Sequence, residues 1–177
     1  AKKYDIAVIH DNAYSELTFD GYVAPSFMAT PGAKDVGVEF FSYSKPFNMT
    51  GWRLGFGVGN REVLSHLWRL KTNMDSGMFD ALQRTGAFIL NSPWDFVTEM
   101  CGIYRRRRDL LAEALVSVGM QVPKPKATIY MWIPVPEGYT SATFAEHVLD
   151  QAGVVVTPGA GYGPAGEGFF RLSLTTP

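Results

Sequence analysis

Two short apolar runs, 36–41 and 54–58, bracket the stretch Ser42-Tyr43-Ser44-Lys45-Pro46-Phe47-Asn48-Met49-Thr50-Gly51-Trp52-Arg53. Each run is short and hydrophobic enough to read as a buried strand, and Pro46 and Gly51 mark the intervening turn. The pattern therefore places Lys45 on a loop between two buried strands. An amine held against a core loses hydration, which favours its neutral, nucleophilic form. Ser42, three residues earlier, and Arg53, eight residues later, supply a hydroxyl and a planar guanidinium that suit a shared phosphate. Taken by residue type alone, Ser, Lys and Arg in a loop are more often solvated than functional.

Composition excludes little and permits an ordinary globular protein. The chain has 177 residues, 46% hydrophobic and 19% charged, enough for one substantial core or two small ones. A net charge of -1 gives no general attraction to nucleic acid or to an anionic membrane surface. Cys101 is the single cysteine, which excludes an intrachain disulfide and fits a reducing, cytoplasmic setting. No apolar stretch is long enough to span a bilayer, and residues 1–5 lack the hydrophobic centre of a targeting segment. His10, His66 and His147 are scattered without metal-ligand spacing, so no metal site is expected.

Taken in order, residues 6–9 form an apolar, β-branched run that suits a strand buried on both faces of a parallel sheet. Ligand groups gather at the carboxyl ends of such strands, and this one ends on His10-Asp11-Asn12-Ala13-Tyr14. An aspartate there either caps the next turn or meets a positive partner. Gly55, Gly57 and Gly59 lie within a strand and lack dinucleotide-loop spacing, which points to close backbone packing. A helix capped by Asn60 is expected next, a second over 78–90, and a third from Pro93 to a cap at Gly119. The basic run Arg105 to Arg108 reads as a solvated face of that third helix, since no aromatic residues interleave it. Beyond it, strands are expected over 128–133, 154–156 and 169–174, with a capped helix over 141–151.

The whole string SYSKPFNMTGWRLG closely resembles the cofactor-lysine segment of class I/II pyridoxal-phosphate-dependent aminotransferases of fold type I. Two further strings share the resemblance: Asp11-Asn-Ala-Tyr14, and the run from Gly153-Val-Val-Val-Thr-Pro-Gly159 through Gly166-Glu-Gly-Phe-Phe-Arg171. The resemblance implies an α/β chain: the second half of a large, mostly parallel-sheet domain with an interdomain helix over 1–100, then a truncated small α+β domain over 101–177. It implies pyridoxal 5'-phosphate as cofactor, held in a Schiff base by Lys45. Asp11 would pair with the pyridine nitrogen, Tyr14 would donate to the phenolic oxygen, and Ser42 and Arg53 would hold the phosphate. Arg171 would clamp the substrate α-carboxylate, although an ion pair with Glu167 or Glu146 is the competing assignment.

The reaction so implied is amino transfer between an amino acid and a 2-oxo acid, by a homodimer with no nucleic-acid or membrane partner. A carbon–sulfur lyase of the same fold and a non-catalytic regulatory module are the alternatives. The chain opens almost directly on a strand and closes straight after another, so it reads as part of a longer polypeptide. Such a piece, lacking the family's other phosphate-binding loop and ring-stacking aromatic, is expected to be inactive by itself. Which amino acid is used is left open.

Overall fold

A computed structural model describes residues 1–176, which divide into two compact units, Ala1–Thr98 and a second from Glu99 onward. The first unit is built on a three-stranded mixed sheet in the order β1 (Val8–Asp11), β2 (Gly37–Ser42), β3 (Gly55–Gly59). β1 and β2 are parallel, in register from Val8 opposite Gly37 to Asp11 opposite Phe40. The connection between them is long and ends in a single helical turn, α1 (Ala33–Val36). β3 returns antiparallel to β2, with Ser42 opposite Gly55. The lysine loop, residues 43–54, makes this turn without an α-helix of its own to cross over the sheet.

The glycines of β3 are packing positions. A Cβ on Gly57 would stand 2.7 Å from the Phe40 ring, and one on Gly55 would stand 2.7 Å from the Phe41 carbonyl oxygen. Gly59 has φ 137° and lies against the Gly37 backbone, so both its conformation and its surroundings exclude a side chain. β1 departs from expectation. It starts at Val8, and Ile9 is 68% exposed whereas Val8 and His10 are half-buried, since successive side chains leave a strand on opposite faces. The expectation of burial on both faces is corrected: in this chain one face of β1 is covered and the other is open.

Three helices follow. α2 (Arg61–Met74) is capped by Asn60, whose side-chain oxygen accepts from the N–H groups of Glu62 and Val63, each at 3.0 Å. α3 (Asp80–Leu90) lays Gly86 against Tyr43, whose hydroxyl donates to the Gly86 carbonyl at 3.0 Å. α4 (Asp95–Ser117) is the longest, and the second unit begins within it. Leu17, Phe19, Val38, Tyr43, Phe47, Leu54 and Val97 are buried in the first unit.

The second unit packs α4 and α5 (Ser141–Ala152) with an antiparallel sheet ordered β4 (Tyr130–Pro134), β6 (Phe169–Ser173), β5 (Thr157–Pro158). Ala112, Met131, Ile133, Phe144, Val156, Phe170 and Leu174 form its core. Thr140 and Thr143 close a capping box on α5. Two expectations fail here. Residues 154–156 are not a strand: Val155 is 80% exposed and pairing begins only at Thr157. The arginine run is not a uniformly solvated face either. Arg105 and Arg106 are exposed, but Arg107 donates to the Leu174 carbonyl at 2.8 Å. Arg108 is 3% exposed, ion-paired with Asp109 at 2.9 Å and donating to the Pro125 carbonyl at 3.0 Å. Consecutive helical residues point in directions about 100° apart, so a run of four cannot all face solvent on a packed helix.

Candidate active site

Register places the residues of interest at one end of the first unit's sheet. Asp11 is the last residue of β1 and is exposed, and the next amide, of Asn12, donates to the Phe40 carbonyl at 2.8 Å, extending the ladder past it. Ser42 is the last residue of β2, and its hydroxyl oxygen accepts from the Ser44 amide at 3.1 Å, which leaves its own hydrogen free to donate. The loop then folds back. The Phe47 amide donates to the Tyr43 carbonyl at 3.2 Å, and the Thr50 hydroxyl donates to the Ser44 carbonyl at 3.1 Å.

Lys45 stands half-buried in this fold-back, its Nζ 6.0 Å from the centre of the Tyr14 ring. Beneath it the loop rests on aromatic rings: Phe47 meets Tyr43 at 5.2 Å and Trp94 at 5.2 Å, and Tyr43 meets Phe56 at 5.8 Å. Such a floor fixes the lysine's backbone rather than leaving it to a flexible turn.

Arg53 closes the loop with φ 53°, in the left-handed region. A side chain there costs about 1–2 kcal/mol relative to ordinary backbone. Glycine would relieve that cost, so the guanidinium is retained at the expense of stability. It donates one hydrogen bond, to the Thr50 carbonyl at 2.9 Å, and is otherwise open to solvent.

Beside Asp11 lies a group that inspection of the sequence did not single out. Glu39 on β2 is fully buried and accepts from Asn12 and Ser26 side chains, each at 2.5 Å, from the Met28 amide at 3.2 Å and from His10 Nδ1 at 3.1 Å. Its only signal in the sequence is an acidic residue inside an apolar run, opposite a histidine inside another. Burial pushes its carboxyl up, but the hydrogen bonds from Ser26, Met28 and Asn12 and the charge of His10 more than offset this. The folded value therefore sits below the ordinary 4.5. A depressed folded value means the unfolded chain takes up its proton first, so this stabilisation is present above pH 4.5 and is lost as pH falls through the folded value. Thermal unfolding followed from pH 7 downward is expected to show a falling Tm below about pH 5, with a flatter acid limb in Glu39→Gln.

Arg171 belongs to the second unit. It sits on the central strand β6, opposite Trp132 on one side and Thr157 on the other. Its guanidinium carbon lies 4.1 Å from the Tyr130 ring centre and 4.8 Å from that of Tyr162. Cation–π contact with the two rings holds the guanidinium in place, and its planar fork suits a carboxylate. The competing ion pair with Glu167 does not form. That carboxylate accepts from the Ser141 amide at 2.7 Å, the Ser141 hydroxyl at 2.9 Å and the Gly168 amide at 3.0 Å, and these bonds hold it below its ordinary value. Tyr130 and Tyr162 carried no sequence signal, since aromatic residues are common in any core.

The donor set can be tested against a pyridine aldehyde phosphate. Such a ligand needs an amine for its aldehyde, an anion for its ring nitrogen, and hydroxyl and cationic donors for its phosphate. Lys45, Asp11, Ser42 and Arg53 supply these chemical types, and no salt bridge among the described residues ties up Lys45 or Asp11. The residues present fit the group.

The fold defines the class first. The chain superposes over 100% of its length on a probable N-succinyldiaminopimelate aminotransferase from Thermus thermophilus, with TM-score 0.93, 39% identity and 47% of that chain covered. It superposes over 99% on an aromatic aminotransferase from Pyrococcus horikoshii, with TM-score 0.94, 31% identity and 48% coverage. This is the mixed α/β fold of the fold-type I aminotransferases.

More narrowly, the chain belongs to the aminotransferase class I and II family, whose family model matches residues 1–177. Among curated relatives, the LL-diaminopimelate aminotransferase of Moorella thermoacetica is 55% identical over 175 residues, covering 99% of this chain and 45% of the relative. The chain thus spans about half the length of the curated relatives it matches. Among the described residues, no helix is long and apolar enough to cross a membrane.

Proposed function

We propose that this chain carries the cofactor lysine of a pyridoxal-phosphate-dependent aminotransferase acting on LL-diaminopimelate, the substrate named for its 55%-identical relatives. One observation carries the reading: a lysine amine on a braced loop at the sheet edge to which Asp11, Tyr14, Ser42 and Arg53 also belong.

When bound, pyridoxal 5'-phosphate supplies an aldehyde and an electron-accepting ring. Lys45 is the amine that would hold the cofactor through that aldehyde, and as a free amine it would move the proton at the substrate α-carbon. Asp11 would accept a hydrogen bond from the ring N–H and so keep that nitrogen protonated. The Tyr14 hydroxyl donates to the phenolic oxygen. Ser42 and Arg53 bind the phosphate, one as a neutral donor and the other as a charged fork. Arg171, held by contact with two tyrosine rings, would fork onto the substrate α-carboxylate and so fix the α-carbon's orientation. Homodimeric assembly and a cytoplasmic setting complete the reading; a single cysteine fits the latter.

The full polypeptide that contains this chain is the material for the test. Incubated with LL-diaminopimelate and 2-oxoglutarate, it is expected to form glutamate at a rate that depends on the 2-oxo acid. Release of ammonia and pyruvate from a β-substituted amino acid, without need for a 2-oxo acid, would instead identify a lyase. The 177-residue chain by itself is expected to show little or no amino transfer, because the relatives it matches are about twice as long. Full activity in that chain would overturn the assignment of further binding groups to the remaining length.

A further inference from the structure

Among the described residues, Glu39 is the one fully buried carboxylate, and the proposed chemistry leaves it without a task. Its four hydrogen-bond donors are not randomly placed. His10 and Asn12 are the residues immediately before and after Asp11, and Ser26 and Met28 come from the excursion that leads back to β2. One carboxylate oxygen serves the two residues that flank Asp11, and the other serves the excursion. Residues alternate along a strand, so the grip on His10 lies on one face of the sheet and the Asp11 side chain leaves on the opposite face. Removing a buried carboxylate's partner is costly, which makes this a stiff anchor rather than an incidental contact.

We infer that Glu39 is a positioning residue: by holding His10 and Asn12 it sets the strand end that aims Asp11, and the turn that carries Tyr14, at the cofactor ring. The inference rests on the reading of Asp11 as the partner of the ring nitrogen. The physical content is that Asp11 is exposed, with no ion pair among the described residues to orient it, so its aim depends on the backbone beneath it. A short exposed strand end frays unless something pins it, and the two side chains next to Asp11 are pinned to one buried anion. Asn12 adds the second hold, through its amide to Phe40, and stands only two residues ahead of Tyr14.

The test uses the full polypeptide loaded with pyridoxal phosphate labelled with ¹⁵N in the ring, and reads three quantities: the ring-nitrogen chemical shift, the cofactor Kd and the Tm. Asn12→Ala removes one of the two links between Glu39 and the residues flanking Asp11 and leaves the His10 link and the excursion's bonds in place. It is expected to raise Kd roughly five- to tenfold and to move the ring nitrogen toward its unprotonated shift. Glu39→Gln is expected to act in the same direction, and the double variant to do no more than Glu39→Gln alone, as a shared path requires. Ser26→Ala cuts the same carboxylate's bond to the excursion, and is expected to lower Tm while leaving Kd and the ring-nitrogen shift unchanged.

If Ser26→Ala moves the cofactor readouts as far as Asn12→Ala does, the cluster is merely structural and the inference is overturned. Unchanged readouts in Asn12→Ala would overturn it too, whether or not Glu39→Gln folds. Asp11→Asn separates the two levels. A changed shift there with no change in Asn12→Ala sinks only the positioning role, whereas no change in Asp11→Asn sinks the underlying reading of the site.

Discussion

Lys45→Ala in the full polypeptide is expected to abolish the covalent mark that borohydride otherwise leaves on this residue, and to remove nearly all amino transfer. Loss of the α-carbon proton transfer alone is worth roughly 10²–10⁴-fold in rate, and loss of the covalent attachment adds to it. The loop should survive. Its shape comes from the aromatic floor under Phe47 and Tyr43 and from backbone bonds such as Tyr43 N–H to the Leu54 carbonyl, none of which uses the lysine side chain. Peptide mapping after borohydride treatment checks the first part: the pyridoxyl group should appear on the peptide containing Lys45 and vanish in the variant. A mark that persists elsewhere, with activity intact, would remove Lys45 from the chemistry.

The second large effect concerns stability of the second unit. Gly159 and Gly166 cross with their backbones in contact. A Cβ on Gly159 would stand 2.6 Å from the Phe169 carbonyl oxygen, and one on Gly166 would stand 2.8 Å from the Gly159 carbonyl carbon. Both clashes are with main chain, which has no rotamer to change. Gly166→Ala is therefore expected to cost about 3 kcal/mol, at the upper end of overpacking penalties. Denaturant unfolding of the variant should show a lower midpoint with an unchanged slope. Gly161 is the control. A Cβ there meets nothing within 4 Å, so Gly161→Ala should leave the midpoint nearly where it was. Because the segment from Gly159 to Gly166 runs between β5 and β6, Gly166→Ala should also disturb the strand that carries Arg171.

Much of the layout was legible before any coordinates. The apolar run leading to Ser42, the cap at Asn60 and the helix from Thr140 all appear where residue type and spacing put them. These are local features, set by side chains and backbone within a few residues. The string around Lys45 was legible for a different reason: as a whole it resembles the cofactor-lysine segment of a known family, and Ser42, Lys45 and Arg53 all lie within the stretch from the end of β2 to the start of β3. Errors arose where distant partners decide. Ile9 looked like core because it is β-branched, yet it leaves β1 on the open face of the sheet and is exposed. Arg108 looked solvated because it is charged, yet Asp109 and the Pro125 carbonyl allow it to be buried.

Sequence by itself determined that a lysine would stand between two strands, with an acidic residue at the end of another strand and an arginine far along the chain. Only tertiary structure decided what holds them: a buried Glu39 reaching across from β2 to the residues on either side of Asp11, and two tyrosine rings in contact with the Arg171 guanidinium. Covalent order governs contacts between near neighbours, whereas a carboxylate or a ring can be satisfied by any donor or cation that folding brings near. Glu39 and its partners His10 and Asn12, 29 and 27 residues away, leave no periodic trace in the chain.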